Sequence, residues 1–148
     1  MNQIQDYIIV VNTIPKDLCK QIVDDCNTRQ WKKHQWNNYT TKTNTSESTR
    51  ELDVMPSTKN QQNKLKLSIS KALDEYQKIC SWDGEKTGST WLSSYSTIRF
   101  NKYQVGTMMR KHYDHIHDIF DGNKKGVPLV SIVGNLNEDY EGSEFTCR

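Results

Sequence analysis

Residues 103–114 read YQVGTMMRKHYD, which places Tyr103, Gly106, His112 and Asp114 in the order Y-x-x-G-x5-H-x-D. Three of the chain's four histidines fall within 112–117. If 108–117 is a strand, side chains alternate, so His112 and Asp114 share one face while His115 and His117 take the other. An imidazole nitrogen and a carboxylate oxygen so placed can both reach one ion about 2 Å away. With one later histidine they would complete the facial triad that leaves positions open on ferrous iron. The tripeptide alone is weak. Exposed strand histidines beside a solvated Asp114 fit it as well or better, and a zinc site is a further reading, although no cysteine is placed to close one.

Upstream, residues 7–14 (YIIVVNTI) form a β-branched run that predicts a strand. Pro15 then opens a helix with Asp17 in its first turn, and Cys19, Ile22, Val23 and Cys26 give it one apolar stripe. Cys19 and Cys26 read as reduced thiols on that buried face. Residues 28–48 are polar, with Trp31 and Trp36 as anchors and 37–48 as a mobile loop, and 50–55 suits a short strand. A second helix is expected over about 59–80, capped by Ser57 or Thr58, with Leu65, Ile69, Ala72, Leu73, Tyr76, Ile79 and Cys80 in helical period. After a glycine-containing loop at 83–90 the pattern changes. Strand-like runs at 96–103, 108–117 and 129–136 are separated by turns at Gly106, 121–126 and 137–142. Helices followed by antiparallel strands make an α+β chain. Residues 1–148 are expected to form one domain, with a helical lead-in over 1–90 and a β core opening over 91–148.

Composition narrows the function classes. The chain is 34% hydrophobic, yet its Trp, Tyr, Ile, Leu and Val recur regularly, which argues against wholesale disorder. Its net charge of +2 comes from 20 basic and 18 acidic residues with both signs interspersed, so nothing points to nucleic acid. No apolar run approaches the ~20 residues of a membrane span, and residues 1–6 lack the features of a secretory signal, so a cytoplasmic protein is expected.

The string at 103–114 is followed by a glycine-rich turn and an apolar strand, VPLVSIVGNLN (127–137). An acidic turn then runs Asp139-Tyr140-Glu141-Gly142-Ser143-Glu144-Phe145. This ordering resembles the prolyl 4-hydroxylase-like branch of the Fe(II)/2-oxoglutarate dioxygenases, especially its small bacterial and phage members. The lead-in strand, the Pro-Lys-Asp-Leu-Cys helix start at 15–19 and Trp31 look similar too, so the likeness covers nearly the whole chain. It implies N-terminal helices packed on a double-stranded β-helix, a cupin-like jelly roll. It also implies that His112 and Asp114 are metal ligands and catalytic, and that Tyr103 and Ser131 line the 2-oxoglutarate pocket. The cofactors would be Fe(II) and the co-substrate 2-oxoglutarate, with ascorbate as an optional addition. The activity would be hydroxylation of a peptidyl proline or another protein side chain.

Three departures accompany the likeness. Asn135 stands where the family often has an aromatic, and Ser143 replaces the second glycine of a G-G pair. The family's distal His ligand and the Lys or Arg that pairs with 2-oxoglutarate belong to strands after Phe145 and have no counterpart in 1–148. The jelly roll is accordingly expected to lack its C-terminal strands, and the isolated chain to show little hydroxylase activity. A complementing C-terminal polypeptide, or self-association through an open β edge, would supply a partner. The alternative is a truncated non-catalytic remnant that serves as a metal-binding or interaction module.

Overall fold

A computed structural model describes residues 3–38, 41–45, 50–79, 95–112, 130–142 and 144–146. The chain begins with a single 3-10 turn, Ile4–Tyr7, in which the Asp6 carboxylate accepts the Gln3 N–H at 2.7 Å. The strand expected over 7–14 is absent: residues 8–13 join no ladder among the described residues. Ile8 and Val10 stay exposed, and of this run Ile14 is the residue that packs on the core. A β-branched run forms a strand by pairing with and packing on a neighbour, and this one lacks that support.

Helix α1, Lys16–Asn27, follows its apolar stripe. Pro15 occupies the N-cap with extended geometry, Asp17 lies in the first turn, and Ile22 and Cys26 are buried. Both Cys19 and Cys26 are free thiols, as expected. Helix α2, Lys59–Ile79, begins with a reciprocal cap. The Gln61 N–H donates to Thr58 Oγ1 at 3.2 Å and the Thr58 N–H to Gln61 Oε1 at 2.8 Å. Leu65 is buried, with Ile69 packed beside it on the next turn.

The strands β1 (Lys32–Lys33), β4 (Asp53–Pro56) and β5 (Arg99–Lys102) form an antiparallel sheet in the order β1-β4-β5. In its register Met55 faces Phe100, and these two join Ile22 and Cys26 of α1 and Leu65 of α2 in one buried cluster. Both helices thus cover the same face of the sheet. Two helices on a small antiparallel sheet make the chain α+β. The loop expected over 37–48 instead contains a hairpin, β2 (Trp36–Asn38) paired with β3 (Thr43–Thr45), and its connection turns through left-handed Lys42 (φ 53°). The pairing satisfies backbone groups that a polar composition alone does not assign.

The expected strands at 108–117 and 129–136 are not formed where the chain is described. Residues 108–112 and 130–136 belong to no ladder among the described residues, while 113–117 and 129 lie outside them. Residues 130–136 are held by packing instead. Leu136 packs on the core, and a Cβ added at Gly134 would meet Ile14 Cδ1 at 3.2 Å. Among the described residues, no helix is long and apolar enough to cross a membrane.

Gln61, 3% exposed, ties these elements together. Its Nε2 donates to Asp25 Oδ2 in α1, and its Oε1 accepts from Arg29 Nη1 at 3.0 Å. Arg29 in turn donates to the Pro56 carbonyl at the end of β4. Replacing Gln61 by Ala leaves several of these groups without their partner. The expected loss in urea unfolding is about 1–3 kcal/mol, against less than about 0.5 kcal/mol for exposed Lys66→Ala.

Candidate functional site

The turn after β5 decides where His112 goes. The Thr107 N–H donates to the Gln104 carbonyl at 2.9 Å, and Gly106 adopts φ +80°, which makes 104–107 a type II turn. The Met108 N–H then donates to the Arg50 carbonyl at 3.1 Å, drawing the following residues across the lead into β4. There they meet Trp36. The Arg110 guanidinium lies 4.2 Å from the Trp36 ring centroid. The His112 ring approaches the same indole edge-on at 5.4 Å, and the His34 ring does so at 4.6 Å.

Beneath this arrangement lies a carboxylate. Trp36 Nε1 donates to Glu51 Oε1 at 2.9 Å, and Glu51 Oε2 stands 3.5 Å from His34 Nδ1. The Glu51 and His34 side chains are 6% and 8% exposed. Burial holds the His34 imidazole below its usual range, and the nearby Arg99 and His112 charges push the same way, while Glu51 opposes them. His34 is therefore kept neutral against the pull of its carboxylate neighbour.

The tautomer of His112 follows from one contact. Its Nδ1 sits 2.8 Å from the Arg110 carbonyl oxygen. A carbonyl can only accept, so Nδ1 carries the proton and the lone pair of the neutral ring lies on Nε2. Nε2 is thereby the metal-capable nitrogen.

Of the expected site residues, Tyr103, His112 and Ser131 are among the described residues. His112 is exposed at the end of a described segment, and Asp114 lies outside the described residues, as do His115 and His117. Tyr103 directly follows β5 and is about half exposed; desolvation raises its phenol above the usual range against the lowering pull of Arg99, so it stays a neutral donor. Arg99 acts on both Tyr103 and His34. Ser131 is exposed on the segment that reaches the core through Leu136. Among the described residues, no group of three His, Cys, Asp or Glu is placed to hold a metal. An open groove between Val11, Asn12 and Thr13 and the α2 side chains Lys71, Asp74, Glu75 and Lys78 contains none of the expected residues.

No family model, curated protein or solved structure matches the chain.

Burial raises both described thiols, Cys19 and Cys26, so neither is poised as a thiolate nucleophile. Trp36 was expected as an anchor, but Glu51 and His34 were not singled out as buried partners. Glu51 lies in a polar stretch, Thr49-Arg50-Glu51, with nothing in its spacing to mark burial.

His34 yields a pH prediction. Its folded pKa lies below the unfolded value, so the unfolded chain takes up the proton first as pH falls. The stabilisation is complete above about pH 6.5 and declines as pH drops from there towards the folded pKa. His34→Gln should flatten this part of the stability profile as pH falls below about 6.5. Equal slopes for the two proteins in chemical denaturation would contradict the assignment.

Proposed function

We propose that this chain carries the ligand-bearing part of an Fe(II)/2-oxoglutarate-dependent dioxygenase core of the prolyl 4-hydroxylase-like type, a cytoplasmic hydroxylase. The observation that carries the reading is the 2.8 Å approach of His112 Nδ1 to the Arg110 carbonyl oxygen, which as a donor contact leaves Nε2 as the metal-capable nitrogen at the H-x-D position. A histidine ligand needs its second ring nitrogen fixed by an acceptor, and a backbone carbonyl is a common one. The type II turn at Gly106 adds support. A positive φ at this site favours glycine, which gives the Y-x-x-G element a physical reason.

In this reading His112 and Asp114 hold iron from one face, and the helices α1 and α2 pack on one side of a double-stranded β-helix. Bound iron would supply dioxygen chemistry in which one atom of O2 oxidises 2-oxoglutarate to succinate with release of CO2, and the other atom is inserted into a substrate C–H bond. Tyr103 offers a neutral phenol to the co-substrate, and Ser131 offers a hydroxyl from the following segment. The substrate class is a peptidyl proline or another protein side chain.

Anaerobic Fe(II) titration of the purified chain, with and without 2-oxoglutarate, tests this. His112→Ala and Asp114→Ala should each weaken binding by at least about tenfold. Equal affinity in the parent chain and both variants would overturn the reading.

A further inference from the structure

We infer that Trp36, anchored by Glu51, is a positioning residue for His112. The inference rests on the reading of His112 as a metal ligand, but its geometry is independent of any metal. Trp36 holds the 110–112 segment in two ways. Its ring receives the Arg110 guanidinium at 4.2 Å, and its edge-on contact with the His112 ring spans 5.4 Å. Arg110 also supplies the carbonyl, 2.8 Å from His112 Nδ1, that sets the imidazole tautomer. One indole therefore fixes both the residue that selects the tautomer and the ring that carries it.

The indole is itself fixed. Its Nε1–H donates to Glu51 Oε1 at 2.9 Å, and the His34 ring abuts it at 4.6 Å and 86°. Glu51 has little freedom: its side chain is 6% exposed, its own carbonyl accepts from Lys33 Nζ at 3.1 Å, and its neighbour Leu52 accepts the His34 N–H at 2.9 Å. The chain of contacts runs from a buried carboxylate through an oriented indole to an exposed imidazole. Outer partners of this kind orient a ligand and set its donor nitrogen, and their loss commonly weakens metal binding about 10–100-fold.

Trp36→Phe keeps an aromatic face but removes the Nε1 donor; Glu51→Gln removes the charge but keeps an acceptor for it. Two measurements on each folded chain decide the matter: Fe(II) affinity, and the His112 tautomer read from long-range 1H–15N correlation in the metal-free protein. Expected is an affinity loss of about 10–100-fold and a loss of the Nδ1–H tautomer in Trp36→Phe, with Glu51→Gln close to the parent chain in both. Trp36→Phe with parental tautomer and affinity would overturn the proposal, as would Glu51→Gln behaving like Trp36→Phe, because charge rather than the hydrogen bond would then be acting. If the parent chain binds no iron, the metal reading fails, and the tautomer alone decides the positioning role. If the variants do not fold, the parent chain decides it: a nuclear Overhauser contact between the Trp36 indole and the His112 ring supports the proposal, and its absence refutes it.

Discussion

The contact on which the rest of the structure depends is the amide of Gln61. It lies where α1 ends, α2 begins and β4 finishes, and it bonds to Asp25, Arg29 and Thr58. Buried backbone and side-chain polar groups at helix ends are costly unless paired, and two helix ends and the end of a strand meet here. One amide oxygen serves the Thr58 N–H and the Arg29 guanidinium together, so the start of α2 is locked to the exit of α1. The apolar cluster of Ile22, Cys26, Met55, Leu65 and Phe100 forms beside this junction. Packing supplies the bulk of the stabilisation there, while the amide selects the angle at which the two helices meet the sheet.

Fixing β4 also fixes the three residues that precede it. Arg50 offers its carbonyl to Met108, Glu51 its carboxylate to Trp36, and Leu52 its carbonyl to His34. Each of these bonds reaches a different part of the chain: the segment after β5, the hairpin, and the link from β1. Residues 50–52 are therefore the point at which the core's geometry is passed to the histidine cluster. The short strand matters less for its own pairing than for the direction in which it aims the residues in front of it.

Local rules made much of this readable from the residues. The stripe of α1, the Thr58–Gln61 cap and the period of α2 are set within a few turns of chain, and all three appear where periodicity and capping place them. The strand at 99–102 likewise falls inside the strand-like run at 96–103. The misses share a cause. The run at 7–14 has strand composition, but a strand needs a neighbour, and the segment packs through Ile14 against Gly134 instead. The hairpin at 36–45 arises from pairing in a stretch whose polar residues gave no alternation to detect. At the candidate site, His112 stood out because of its H-x-D spacing to Asp114. The burial of Glu51 and His34 was not legible, because burial of an isolated polar residue is a tertiary property that no short pattern encodes.

The His34–Glu51 pair is an unlikely device for stability alone. Withdrawing a carboxylate and an imidazole from water costs several kcal/mol before any attraction is counted, and an apolar pair of similar volume can hold a core as well or better. The structure does not recover that cost through a strong ion pair, since His34 is kept neutral and stands 3.5 Å from Glu51. What the carboxylate gains instead is a short bond from Trp36, at 2.9 Å, that sets the plane of the indole. An apolar residue at 51 could fill the space but could not orient that ring. A neutral His34 completes the frame from the other side without adding a further positive charge to those of Arg99 and Arg110. The arrangement thus spends stability on direction, and the direction it fixes is that of the surface bearing His112.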